Sequence, residues 1–466
     1  MPAVSTDGGD ALQRSSGLRT FNRLGCLALI ALVLMLPVIG YFQAVREAGS
    51  DLAALKKRLT AEGILVPVEQ LIPKVPKGEQ NAADLYLLAF NALQTPVQQL
   101  DIVHNLPSGS PKRLRFLRRV VAQNTAGLRL LEEASRLTYC AFPINWNDPY
   151  ALPSHHSKVR SAGMCMLDRA ELLMADGDLD AALDSTGTML RMATHVGAEP
   201  TLFAQLGAAW FLENLAIGAA SETLGAGSPS PAACQRLFEE IGRVDNRRDY
   251  ARSLRGDLMN TVGQHVFGDL AGGKGRIEDL RGPGATDELL VWSSRLLRRF
   301  AFARDEIHYL TVAAACVRTA DRESADAVKL IQGALDALRG APQIESMASR
   351  WMVFMPGAEV PLPLSTAILC NSRTASLRAA QVALASVAFQ AEKGRYPNSL
   401  TELRAAGWNL PRDPFGGADL RYRREKRGFV VYSLGPNMAD DNATEYDSKT
   451  MSLSDGPYDI VFRVKR

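Results

Sequence analysis

Oxygen-bearing side chains are crowded into one stretch near the C-terminus of the chain. The candidates for binding a hard cation are Asn437, Asp440, Asp441, Asp447 and Asp459. Ca²⁺ takes about six to eight oxygen ligands, among them carboxylates and carbonyls. The sequence therefore predicts a calcium site in this stretch. The alternative is a solvated acidic loop that binds no ion.

Histidines and carboxylates elsewhere form no familiar catalytic arrangement, because neither His-Glu-x-x-His nor Gly-x-Ser-x-Gly occurs. The adjacent His155 and His156 are interpreted as a loop pair, since neighbouring side chains do not converge easily on one metal. Asp305 and His308 share a predicted helix face and indicate a local salt bridge. Glu213 is interpreted as a paired structural group, with a catalytic acid as the alternative. We predict no catalytic or cofactor-binding residues and do not expect an enzyme.

The bulk composition is that of an ordinary globular chain, with 466 residues of which 47% are hydrophobic and 22% charged. The net charge of +3 is too small to indicate nucleic acid as a partner. No pattern identifies a small-molecule substrate. The cysteines are too far apart in sequence for a zinc ribbon, so we predict buried free thiols. They are Cys26, Cys140, Cys165, Cys234, Cys316 and Cys370.

One apolar segment near the N-terminus is a candidate membrane-spanning helix. Residues 24–45 contain no charged side chain. About 20 apolar residues are enough for a helix to cross a bilayer. We predict an uncleaved transmembrane anchor at 24–45, preceded by a tail at 1–23. A cleaved signal peptide is the alternative.

The region after the anchor is predicted to be mainly α-helical. Residues 46–110 read as a linker with the first helices, and 111–365 as an irregular helical bundle or solenoid. Apolar residues at helical spacing over 158–195 predict a hairpin that resembles a single tetratricopeptide-type unit. Residues 200–224 are apolar on nearly every face and predict a central, buried helix.

The last part, 366–466, is predicted to be a small α+β module. An amphipathic helix ends near Lys393, where Gly394 can stop it. Strand-forming residues at 420–424 and 428–433 predict a hairpin, and 459–464 a third strand. A three-stranded antiparallel sheet needs such a helix to cover one face.

The motifs of this module resemble the C-terminal region of the major pseudopilin of bacterial type II secretion, over roughly 375–466. They are Gly394-Arg395-Tyr396-Pro397-Asn398-Ser399-Leu400, Asp413-Pro414-Phe415-Gly416-Gly417 and Ser433-Leu434-Gly435-Pro436-Asn437. The resemblance implies an extracytoplasmic module with calcium in the loop. Asn437 falls where the family has its first loop Asp, and Asp440 and Asp441 replace loop glycines. The N-terminus lacks the pseudopilin cleavage motif.

The overall layout resembles single-pass bacterial membrane proteins of unknown activity that end in such a tail. We therefore expect a protein of the bacterial inner membrane, with the bulk of the chain outside the cytoplasm. Its expected role is structural or protein-binding, related to secretion by analogy of the tail. The alternative is an envelope hydrolase with an unrecognised carboxylate such as Glu213.

Overall fold

The computed structural model of the chain describes residues 10–94, 106–146, 154–258 and 361–466, apart from 448, 450 and 452–455. It also describes residues 303, 306, 307, 310, 311, 313–320 and 333. The side chains of 10–34, 37 and 361–365 are outside the description. The predicted salt bridge between Asp305 and His308 lies outside the described residues.

The described chain is mainly helical with one small sheet, as predicted. The helices of the body are α1 Asp10–Ala61, α2 Ala82–Ala92, α3 Pro111–Gln123, α4 Thr125–Ser135, α5 His155–Ala175 and α6 Leu179–Gly197. They continue with α7 Trp210–Ala226, α8 Pro231–Arg243, α9 Asn246–Asp257, α10 Pro361–Lys393 and α11 Leu400–Ala405. A short 3-10 helix covers Val68–Gln70, and a π-helical segment, Ala204–Ala209, runs directly into α7.

Polar side chains fix where several helices begin. The side chains of Asn81, Asp178, Ser230 and Asp245 each accept a hydrogen bond from a backbone amide of the first turn that follows. Such caps satisfy amides that have no partner inside the helix.

Between α5 and α6, Gly177 has φ +82, which suits glycine at a tight turn. The predicted hairpin over 158–195 is confirmed.

The core of the bundle forms where α6 packs against α5 and α7. Met166, Leu183, Leu190 and Leu212 are all at most 2% exposed. The prediction for residues 200–224 was only partly right. One face of α7 is buried. Phe203, which directly precedes the π-helical segment, is 54% exposed.

The sheet has the predicted strands, β1 Arg421–Glu425, β2 Gly428–Ser433 and β3 Ile460–Lys465. It is antiparallel with the order β1-β2-β3, so β2 is central, and all six of its residues are buried. At the start of β2, Gly428 has φ +117, and a Cβ there would collide with the carbonyl of Val464. Glycine is therefore needed at this turn.

Helix α10 lies between the bundle and the sheet. It packs against α7, α8 and α9 of the bundle and against β2 and β3 of the sheet. Its small buried residues let the neighbouring backbones approach closely. They are Ala375, Ala379, Ala380, Ala383, Ala385 and Ala388. One continuous apolar core consequently joins the helical body to the predicted tail module.

Helix α10 ends as the sequence predicted. Its last residue is Lys393, and Gly394 follows with φ +73. Its first residue is Pro361, so the helix crosses the predicted domain boundary between residues 365 and 366.

A second, smaller core holds the end of α1. Leu55 and Leu59 pack with Tyr250 and Leu254 of α9 and with helical residues 313–320. Earlier in the same helix, Met35, Leu36, Val38, Ile39 and Phe42 are between 46% and 65% exposed. Among the described residues, no helix is both long and apolar enough to cross a membrane.

A buried ion pair lies where α7 meets α10. Arg373 Nη2 is 2.5 Å from Glu213 Oε1, and Arg373 Nε donates to Oε2 at 2.9 Å. Arg373 also donates to Gln205 Oε1 at 2.6 Å, and Asn246 donates to Glu213 at 3.2 Å. Burial opposes the charge on Arg373, but the adjacent carboxylate outweighs it and raises the pKa. The interpretation of Glu213 as a paired structural group is confirmed.

We predict that Glu213→Gln lowers the free energy of unfolding by about 3–5 kcal/mol, because it leaves the buried Arg373 guanidinium without a counter-charge. Denaturant unfolding of the full chain in detergent measures this change. The matched control is Glu133→Gln, which breaks an exposed pair with Arg129 and should cost less than about 1 kcal/mol. Equal effects of the two substitutions would contradict the structural role of the buried pair.

Candidate functional site

The predicted calcium residues lie in the loop that joins β2 to β3. Asn437 Nδ2 donates to Asp441 Oδ2 at 2.8 Å. Asp459, just before β3, accepts from the Ala443 amide at 2.7 Å and the Asp441 amide at 3.5 Å. The structure therefore brings Asn437, Asp441 and Asp459 into one hydrogen-bonded group.

The other two predicted residues are held by different contacts. Asp440 Oδ1 accepts from the Tyr432 hydroxyl at 3.1 Å and the Asn442 amide at 3.0 Å. Asp447 Oδ1 accepts from the Lys449 amide at 2.9 Å. These hydrogen bonds connect Asp440 to β2 and Asp447 to its own turn.

Like charges in this loop act on Asp459, which is 2% exposed. Burial raises the pKa of Asp459, and the nearby Asp441 and Asp440 raise it further, while the two backbone amides lower it. The loop also holds Met438, Asn442 and Ala443 at φ between 56 and 61, a conformation that costs side chains about 1 kcal/mol or more each. A bound cation would relieve the repulsion and help to offset this strain.

Asp413 is a buried residue to which the sequence interpretation gave no role. Its carboxylate accepts from the Phe415 amide at 2.8 Å, the Ser433 hydroxyl at 2.7 Å and the Leu434 amide at 3.0 Å. These hydrogen bonds connect the 413–417 turn to the start of the loop between β2 and β3, here called the acidic loop. The Asp-Pro-Phe-Gly-Gly motif was the signal that could have identified it.

A second group of ligand atoms lies at one end of the α5–α6 hairpin. His155 Nε2 is 2.6 Å from Glu199 Oε1, and His156 Nε2 is 2.7 Å from Glu199 Oε2. The interpretation of the two histidines as a loop pair was wrong. They are the first residues of α5, and both rings reach the same carboxylate.

The hairpin explains this convergence. Because α5 and α6 are antiparallel neighbours, the start of α5 lies beside the end of α6, where Glu199 follows the last helical residue by two positions. Burial opposes ionisation of Glu199, but hydrogen bonds from both histidines outweigh burial and lower its pKa. Within the described part of the chain, this is the one group of three His, Cys, Asp or Glu side chains whose ligand atoms are close enough to share a metal ion.

A cleft of about 590 Å³ opens beside the same hairpin. It is lined by α6, α8 and the turn after α4, and four arginines are among its lining residues: Arg136, Arg191, Arg236 and Arg243. The acidic residues of the lining are Asp184 and Glu240. Asp184 pairs with Arg236 at 3.1 Å, and Glu240 pairs with Arg243 at 3.0 Å.

His195 also lines the cleft and is neutral. Burial lowers its pKa to about 4. Its Nε2 lies 2.9 Å from the Leu137 carbonyl, and its Nδ1 lies 2.9 Å from the Tyr86 hydroxyl. The ring therefore donates to the carbonyl and accepts from the hydroxyl. With four guanidinium groups against two carboxylates, the lining carries a net positive charge.

Three thiols are buried in the main apolar core. Cys140, Cys165 and Cys234 are free, as are Cys316 and Cys370 elsewhere in the described chain. The prediction of buried free thiols is confirmed for these five. Burial raises the pKa of Cys165 to about 12, so this thiol stays protonated at neutral pH.

Comparison of the chain with protein-family models, with curated proteins and with solved structures finds no match. The resemblance of the tail to a pseudopilin therefore stays a prediction.

We predict that calcium raises the melting temperature of the full chain by about 5 °C over the same protein in chelator, because the ion binds only the folded loop. Asp441→Ala and Asp459→Ala should abolish the shift. Asp419→Asn is the matched control in the same module, since Asp419 pairs with Arg404 on the surface, and it should preserve the shift. A parent melting temperature that is the same with calcium and chelator would exclude the site.

Proposed function

We propose that this chain is a membrane-anchored protein of the bacterial cell envelope that works by binding a protein partner. In this proposal residues 24–45 cross the inner membrane, and the helical body and tail lie outside the cytoplasm. The observation that carries the proposal is helix α1, in which an exposed apolar stretch continues without a break into the folded body.

Along α1 an exposed apolar stretch is followed by a buried one, as expected for an anchor that continues into a folded body. Met35, Leu36 and Phe42 are 56%, 59% and 65% exposed. Leaving such a side chain in water costs about 1.5–3 kcal/mol compared with burying it. Leu55 and Leu59 of the same helix are 8% and 0% exposed and pack in the smaller core. A lipid bilayer would cover the first group, while the second attaches the helix to α9 and its neighbours.

The cleft supports the binding part of the proposal. It is an open groove with arginines on three of its walls. Guanidinium groups bind carboxylates with two parallel hydrogen bonds, so an acidic protein segment is the partner that this lining fits best. Arg136 is exposed at the rim, where an incoming carboxylate would meet it first.

The tail fits the same proposal as a rigid cap. Its sheet shares the apolar core of the body, and a calcium ion would stabilise the loop at its edge. The pseudopilin resemblance is the reason to place the protein near secretion machinery. The competing idea of a hydrolase that uses Glu213 receives no support from the geometry, because that carboxylate is 2% exposed and both of its oxygens contact Arg373.

We expect the full chain to sediment with membranes, and protease added to spheroplasts to digest the body. Deletion of residues 1–45 should release a folded, soluble protein, because the apolar stretch is then absent. Deletion of residues 1–23 alone is the control and should leave the protein in the membrane fraction. A soluble full-length protein, or a body protected from protease in spheroplasts, would overturn the anchor.

We also expect a photo-crosslinking residue placed at Thr138, in the cleft, to form one protein adduct in cells. Arg136→Glu combined with Arg243→Glu should reduce this adduct by about tenfold or more, because like charges repel the acidic segment. Arg115→Glu combined with Arg129→Glu reverses two exposed charges outside the cleft and should have no effect. An adduct that is insensitive to both pairs of substitutions would rule out charge recognition in the cleft.

A further inference from the structure

We propose that His155, His156 and Glu199 bind a divalent transition-metal ion of the Zn²⁺ class. Two imidazole nitrogens and one carboxylate oxygen form a donor set that suits zinc and its neighbours, whereas Ca²⁺ and Mg²⁺ prefer oxygen alone. The site is separate from the acidic loop and differs from it in the ion that its ligands select. It does not depend on the membrane anchor or on the cleft.

The ligand atoms are already close to the spacing that a metal requires. Zinc binds nitrogen and oxygen at about 2.0–2.2 Å, so tetrahedral ligands lie about 3.3 Å apart. The two nitrogens are 2.6 and 2.7 Å from the oxygens of Glu199. One ligand atom from each of the three residues lies within 4.8 Å of the other two, so small side-chain movements would bring all three to a single ion.

Burial favours a metal over a purely hydrogen-bonded arrangement. His155, His156 and Glu199 are 6%, 4% and 2% exposed. Taking a carboxylate charge away from water is costly unless a counter-charge lies beside it, and a divalent cation would supply that counter-charge.

The ring of His156 is not committed to one tautomer by a second partner. Its Nδ1 is buried and has no hydrogen-bond partner among the described residues. In the metal-free arrangement Nε2 donates its proton to Glu199. When an ion takes the lone pair of Nε2, the ring proton moves to Nδ1, where no hydrogen-bond donor opposes it.

Aromatic rings shield the site and leave one side near the surface. Phe142 stacks on His155 with ring centroids 3.9 Å apart, and Phe203 stacks on His156 at 5.4 Å. Phe203 is 54% exposed and precedes the π-helical segment Ala204–Ala209. Such segments are frequent at functional sites, and movement of Phe203 gives an ion a route from solvent.

The test uses the untagged full chain, purified in detergent, stripped with chelator and titrated with Zn²⁺ alone. We expect one ion per chain after gel filtration, measured by mass spectrometry of the metal. Cobalt should replace zinc and give the visible absorption of a site with nitrogen and oxygen ligands. His156→Gln and Glu199→Gln should each weaken zinc binding by about tenfold or more, because each removes one of three ligands.

His195→Gln is the matched control, since His195 is a partly buried histidine of the same hairpin outside the group, and it should bind zinc like the parent. Circular dichroism establishes that each variant is folded. Should a ligand variant fail to fold, the stoichiometry and the cobalt spectrum of the parent decide the question. A folded parent without a stoichiometric ion, or an equal loss of binding in His195→Gln, would overturn the proposal.

Discussion

The burial of helix α10 against both the helical bundle and the sheet is the constraint on which the rest of the structure depends. A three-stranded sheet is unstable without cover, and α10 provides that cover for β2 and β3. The same helix completes the core of the bundle against α8. Alanines make this double contact possible, because Ala379 and Ala383 leave room for close neighbours. Arg373, on the same helix, then fixes its position along α7 through Glu213.

The acidic loop, the histidine group and the cleft derive their geometry from this arrangement. The loop starts at Ser433, the end of β2, which Asp413 holds from the neighbouring turn. The histidine group lies at one end of the α5–α6 hairpin, which packs against α7, and α6 also forms one wall of the cleft. The proposed anchor, α1, attaches separately through Leu55 and Leu59 to the smaller core.

Local patterns predicted much of this fold from the sequence. The stop at Gly394, the strands of the hairpin and the turn at Gly177 all depend on residues within a few positions of each other. His155 and His156 lie 44 and 43 positions before Glu199, and only the packing of two helices brings them together. Their convergence on Glu199 was therefore missed. Adjacent residues on a helix diverge, so the sequence rule argued against a shared partner. The cleft was missed for the same reason, since its walls come from three separate elements.

The central claim is that α10 joins the body and the tail into one cooperative unit. Native-state hydrogen exchange of the membrane-reconstituted chain, followed as denaturant increases, tests it most directly. If the claim is correct, the amides of Ala379–Ala388, of Phe429–Tyr432 and of the buried face of α7 open with the same free energy and the same denaturant dependence. Opening of Phe429–Tyr432 at a clearly lower free energy, while α7 stays closed, would show that the tail is a separate unit and would contradict this account.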